Sequence, residues 1–161
     1  MVNKGLRICS LLWCFFIFYG ESQGAVTMPS FSLPTAIDGT VVTSESYQGK
    51  ALLITFFATW CSSCLHEIKS LKALQAKFQG QGFAVVALSV DEGRAGAVLQ
   101  LVKKADINYQ VLMADQATAQ KFGGVIAIPT SFLVNKNGHV VKKYPGSVPP
   151  GVLERDIEST L

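Results

Sequence analysis

An apolar run, Ala51–Phe57, leads through Ala58-Thr59-Trp60 into Cys61-Ser62-Ser63-Cys64, and there the hydrophobic period changes. Ahead of the cysteines the run reads as a strand covered on both faces. Behind them Leu65, Ile68, Leu71, Leu74 and Phe78 recur at helical spacing, with Lys69, Lys72, Gln75 and Lys77 on other faces, until Gly80 and Gly82 end the pattern. A buried strand that stops where a cysteine pair opens a helix requires a sheet with a helix packed across it, and so an α/β layer architecture.

The flanking sequence fits that frame. Residues 31–34 and 40–42 read as a hairpin with Asp38-Gly39 as its turn. A second buried strand is predicted over 83–90 and a helix over 95–105, marked by Val98, Leu99, Val102 and Ala105. A short strand follows over 109–113, and Asp115 is placed to cap a brief helix ending at Gly123-Gly124. Residues 130–134 and 139–144 flank Asn135-Lys136-Asn137-Gly138, a turn rich in residues that tolerate positive φ. Pro149-Pro150 opens a terminal helix with Leu153 and Ile157 on one side. With 161 residues, no repeat and no linker, one domain with one core is expected. The formal charge of +3 is spread thinly, and no Lys/Arg-rich run points to nucleic acid.

Residues 1–24 read as a leader, and 25–161 as the domain. Lys4 and Arg7 precede an uncharged apolar stretch over 8–20, and Glu21 ends it. That length suits a signal peptide better than a spanning helix, which needs about 20 apolar residues. Ser22 and Gly24 would supply the small residues of a cleavage site after Gly24; the alternative is an uncleaved N-terminal membrane anchor. Either way the domain is expected in the periplasm or on the extracytoplasmic face of the membrane. Cys9 and Cys14 fall in the leader, which leaves the domain two cysteines, spaced CxxC.

A structural zinc site would need two further Cys or His ligands, and His66 and His139 are ill placed to supply them. A c-type haem attachment needs His after the second cysteine, where Leu65 stands. As a staple, a disulfide closing so short a loop constrains little of the unfolded chain. Redox exchange remains, with no metal or cofactor expected. A helix start favours negative charge through its unpaired N–H groups and its dipole, which lowers the pKa of a thiol placed there. Cys61 is accordingly assigned as the exposed nucleophile. Cys64, one turn inward, is the resolving thiol.

Trp60-Cys61-Ser62-Ser63-Cys64 after an apolar strand resembles the thioredoxin active site, and Ile126-Ala127-Ile128-Pro129-Thr130 resembles that superfamily's cis-proline segment. Within the superfamily the chain is similar to the extracytoplasmic TlpA/ResA-like thiol-disulfide oxidoreductases. The N-terminal F-x-L…DG hairpin, Gly49-Lys50, Thr59-Trp60 and Glu67 carry that similarity. It implies a thioredoxin fold: α/β, a central mixed β-sheet flanked by helices, with an N-terminal β-hairpin and an inserted helical segment. It implies a cis bond at Pro129 and substrate contacts from Trp60, the Ile128 backbone and Thr130. For Glu67, the matched acidic residue, it implies a catalytic role. Three positions depart from the pattern: Ser63 and Lys69 stand where proline is common, and Thr55 where cytoplasmic thioredoxin has a buried acid.

The function implied is reduction of disulfides in exported proteins, which keeps their cysteines reduced, including apocytochrome c thiols awaiting haem. Electrons would come from a membrane donor of the CcdA/DsbD kind, and the protein is expected to be a monomer. Three other readings share the fold: a disulfide-donating oxidase or isomerase, a peroxiredoxin-like peroxidase and a redox-inert binding module. Ala58, where a peroxidase usually has Thr, disfavours the second, and the presence of both cysteines disfavours the third.

Overall fold

The computed structural model describes residues 26–161; the leader assigned to 1–24 lies outside the described residues. Five strands form a mixed sheet in the order β5-β4-β3-β6-β7. They are β3 (Ala51–Phe57), β4 (Phe83–Ser89), β5 (Gln110–Met113), β6 (Thr130–Val134) and β7 (Val140–Pro145). The central strand β3 pairs parallel with β4 and antiparallel with β6, and all seven of its residues are buried. Burial on both faces is the reason its sequence shows no alternation.

The two faces of β3 build the two halves of the core. Leu52, Ile54 and Phe56 point toward Val86, Leu88, Leu112, Phe122, Phe132 and Val134. Ala51 and Leu53 point the other way, against Leu71, Leu74 and Phe78 of α1 (Ser62–Phe78) and Leu153 and Ile157 of α4 (Pro150–Glu158). On that same face α2 (Ala95–Lys104) sets Val98 and Val102 against Phe57, Ala87 and Val111. The first face is covered by Phe122, which follows α3 (Gln116–Lys121), and by Phe31 and Leu33 of the N-terminal hairpin. This is the expected α/β thioredoxin fold.

The N-terminal hairpin differs from the sequence expectation in its turn. Strands β1 (Ser32–Pro34) and β2 (Val41–Thr43) are joined by the six residues 35–40 rather than by Asp38-Gly39 alone. The cause is tertiary. Thr35 bridges to Leu112, and the Ala36 N–H donates to the Val111 carbonyl at 3.0 Å, drawing the chain onto the edge of β5 before it can turn. Asp38 then closes the loop by accepting from the Thr35 hydroxyl (2.6 Å) and the Thr40 N–H (3.0 Å), with Gly39 at φ +76°. The second hairpin turns at 135–138 as read from sequence. Asn135 Oδ1 accepts from the N–H groups of Asn137 and His139, and Gly138 takes φ +79°.

Candidate active site

β3 ends at Phe57, and after the four residues 58–61 the chain enters α1. Cys61 is the N-cap of that helix, with an extended backbone (φ −89°, ψ 101°). Its N–H donates to the Ala58 carbonyl at 3.1 Å, and its own carbonyl accepts the first helical bond from Leu65 at 3.1 Å. Its sulfur occupies the place usually held by a capping oxygen and accepts the Cys64 N–H at 3.2 Å. The Ser63 hydroxyl lies 3.4 Å from the same sulfur. An orphan helical N–H and a hydroxyl thus face the atom that would carry charge as a thiolate.

Cys61 and Cys64 are joined as a disulfide. Their exposures are 7% and 3%, so Cys61 is the more open of the two but not the exposed side chain read from sequence. It is covered because the pair packs among Ala36, Phe57, Ala58 and Val98, with Ile128 alongside. Trp60, by contrast, is 64% exposed.

The Ile128–Pro129 peptide bond is cis. The Pro129 carbonyl accepts from the Gly146 N–H at 2.8 Å, and the Thr130 hydroxyl donates to the Ala127 carbonyl at 2.8 Å, which fixes this segment to the end of β7 and to itself. Among the described residues the Ile128 N–H and carbonyl have no hydrogen-bond partner. Trp60, Val90, Val125, Ile126 and Ile128 wall a groove of about 290 Å³, with Glu92 and Asp115 on its lining, and Ile126 is fully exposed.

Behind the pair lies a recess of about 10 Å³, bounded by Thr55, Cys64, Glu67, Leu71 and Tyr109. That is the lower limit for one water molecule. The Glu67 carboxylate accepts the Val148 N–H at 3.0 Å, and partial burial raises its pKa above the ordinary glutamate value, with that hydrogen bond and one from Ser147 opposing. Burial, and then the nearby Glu67 charge, push the Tyr109 phenol well above its usual range. Thr55, in the place of thioredoxin's acid, is buried and accepts a hydrogen bond from the Ser131 hydroxyl at 2.9 Å. That core position is therefore neutral.

Ionising Glu67 costs more in the folded chain than in the unfolded one. Its contribution to stability is whole below the unfolded glutamate pKa and is lost as pH rises through the raised folded value. Relative to Glu67→Gln, which keeps the acceptor for Val148, the wild type should lose stability as pH rises from the ordinary glutamate value, about 4.3, through the raised folded one. Urea titrations of both proteins across that range check this; parallel pH profiles would contradict it.

One residue close to the pair carries no sequence signal of its own. Asp91, just past β4, is 2% exposed and binds Thr59, two residues ahead of Cys61. In the sequence an acidic residue at the end of an apolar strand reads as loop. Among the described residues no group of three or more His, Cys, Asp or Glu could hold a metal ion, and no helix is long and apolar enough to cross a membrane.

Residues 23–161 match the Redoxin family. The chain is 32% identical over 118 residues to the thiol-disulfide oxidoreductase ResA of Bacillus thuringiensis subsp. konkukian, covering 73% of this chain and 67% of that protein. With the ResA of Bacillus subtilis it shares 29% identity over 146 residues, 88% of this chain and 80% of the relative. Among solved structures it is similar to a thioredoxin-family thiol:disulfide interchange protein from Chlorobium tepidum. There the TM-score is 0.78 at 33% identity, over 84% of this chain and 96% of that one.

Proposed function

Because the chain belongs to the Redoxin family and is a thiol-disulfide oxidoreductase of the TlpA/ResA-like kind, we propose that it works as a reductant of exported proteins outside the cytoplasm. The observation that carries the exchange chemistry is the Cys61–Cys64 disulfide at the N-cap of α1, beside the cis-proline segment. The direction of electron flow rests on the resemblance and on the leader. Its substrates are disulfides of exported proteins, including those of apocytochrome c, whose reduced thiols then await haem.

In the reduced protein the Cys61 thiolate attacks one sulfur of a substrate disulfide and expels the other as a thiolate, leaving a mixed disulfide. Cys64 then loses its proton and attacks the Cys61 sulfur, which releases the second substrate sulfur reduced and closes the Cys61–Cys64 bond. Two electrons pass from protein to substrate. The Cys64 N–H aimed at the Cys61 sulfur favours the thiolate form needed for the first step. Glu67, its carboxyl raised by burial and on the same recess as Cys64, is suited to take the proton in the second, directly or through one water. The unpaired Ile128 backbone groups fit an extended substrate segment, with Pro129 and Thr130 shaping that edge and exposed Trp60 and Ile126 supplying apolar contact. The leader over 1–24 exports the domain 25–161 and is cleaved, and the domain acts as a monomer.

Extracytoplasmic thiols are kept oxidised by the surrounding machinery, so a reductant there depends on electrons delivered through the membrane. A carrier of the CcdA/DsbD kind is the donor. Alkylation trapping in intact cells should find Cys61 and Cys64 reduced, and oxidised once that carrier is deleted. Equilibration with glutathione should give a potential nearer roughly −270 mV than roughly −120 mV. A pair fully oxidised in wild-type cells, with a potential at the oxidant end, would make the protein a disulfide donor instead.

A further inference from the structure

We propose that Asp91 is a positioning residue of the redox pair: its buried carboxylate clamps Thr59, which sets the approach of the chain to Cys61, and its negative charge biases the pair toward the disulfide. Asp91 is the one charged side chain fully buried among the described residues. Its Oδ2 accepts from the Thr59 N–H at 2.8 Å and the Ser89 hydroxyl at 2.9 Å, and its Oδ1 accepts from the Thr59 hydroxyl at 2.6 Å. Its own N–H donates back to Ser89 at 3.1 Å. The neighbouring Val90 N–H donates to the Phe57 carbonyl at 2.9 Å. The ends of the two central strands are thus tied together immediately before the turn 58–60 carries the chain into α1.

Three donors and no cation surround the carboxylate, and none of the ion pairs among the described residues includes it. Burying a charge is costly even when it is hydrogen-bonded, and a neutral amide could hold Thr59 nearly as well. The charge therefore calls for a reason beyond the clamp. Thr59 and Cys61 are two residues apart, so their Cα atoms cannot be more than about 7 Å from each other. The carboxylate is bound to Thr59 and the sulfur is carried by Cys61, so the two stand on the order of 10 Å apart, a range at which like charges away from bulk water still repel. No cation lines either cavity beside the pair: Glu92 and Asp115 belong to the groove, and Glu67 and Tyr109 to the recess. Arg94, in the first turn toward α2, is exposed.

The disulfide is neutral and the reduced pair carries the Cys61 thiolate, so a fixed negative charge penalises only the reduced form. Reduction by glutathione breaks the Cys61–Cys64 bond with two electrons from two glutathione thiols. It yields the protein dithiol and one glutathione disulfide, and the Cys61 proton passes to solvent. The inference rests on this exchange and holds for either direction of physiological electron flow.

The test equilibrates purified wild type and Asp91→Asn with glutathione, at a pH where thiolate absorbance shows Cys61 of the reduced protein ionised. Asparagine keeps the shape and an acceptor for Thr59 while removing the charge. The equilibrium constant for reduction should rise about tenfold, equivalent to about 30 mV toward the oxidising side. Thr59→Val, which leaves the charge and removes one hydrogen bond, should slow exchange with a protein disulfide several-fold, and Thr59→Ser should restore it. Equal loss of stability in both redox forms, with an equilibrium constant unchanged within twofold, would overturn the role of the charge. Should Asp91→Asn fail to fold, the Thr59 pair decides, and a Thr59→Val protein exchanging at the wild-type rate sinks the proposal. A wild type that does not equilibrate with glutathione at all removes the exchange reading and this inference together.

Discussion

Cys64→Ser should accumulate mixed disulfides with partner proteins, whereas Cys61→Ser should trap none, and both should reduce insulin no faster than dithiothreitol alone. The asymmetry follows from the helix start. The Cys61 sulfur is the capping atom at the end of α1, faced by the Cys64 N–H and the Ser63 hydroxyl and beside the groove of Trp60 and Ile128. Cys64 lies one turn inward, buried against the recess of Thr55 and Glu67. Serine at position 64 retains the backbone N–H aimed at Cys61, so the first attack survives and only resolution is lost. Non-reducing gels of tagged variants recovered from cells read the outcome. Equal trapping by the two variants would mean that the roles of the cysteines are misassigned.

Phe56→Ala should destabilise the domain by about 3–5 kcal/mol, a large share of the ~5–15 kcal/mol that holds a typical domain together. Phe56 is fully buried on the central strand, in register with Leu88 on one side and Thr130 on the other. Its ring meets those of Phe122 and Phe132 edge-on at 5.3 and 6.1 Å, and those two rings stand 5.3 Å apart. Truncation leaves a void that neighbours from three separate elements cannot jointly fill. Urea unfolding of wild type and variant, both oxidised, measures the loss at unchanged m-value. A cost below about 1.5 kcal/mol would mean that this side of the core collapses onto the gap far more readily than rigid packing allows. Because Thr130 pairs with Phe56 in the sheet, slower exchange should accompany the loss of stability.

The acidity around the pair also distinguishes this site from one built on a single buried acid. Thr55 and Ser131 neutralise the position beneath the cysteines, while Glu67 approaches from the helix and Asp91 from the end of the neighbouring strand. The two carboxylates stand in different surroundings. Glu67 is half-buried at a recess, where it accepts the Val148 N–H and burial raises its pKa. Asp91 is sealed in by three donors and is positioned to hold a backbone.

Local sequence was enough to identify the strand, the helix and the cysteine pair between them. The signals there are short-range: an apolar run, a change of period and a spacing of three residues, each set by the geometry of its own element. The same holds for the Asn135–Gly138 turn and for the capping role of Asp115, whose carboxylate accepts the Thr118 N–H at 2.7 Å. Packing between distant segments decided the rest. Asp91 and Thr59 are 32 residues apart, and Glu67 and Val148 are 81 apart, so no periodicity links them. Ala36 reaches the cysteine cluster only because Thr35 bridges to β5, and that detour lengthens a turn the sequence alone reads as Asp-Gly. Whether Cys61 is open or covered depends on Ala36, Val98 and Ile128, contributed by three separate segments. A residue's own chemistry and near neighbours determine which element it joins; which charges and side chains surround its reactive atom depends on chain folded back from far away.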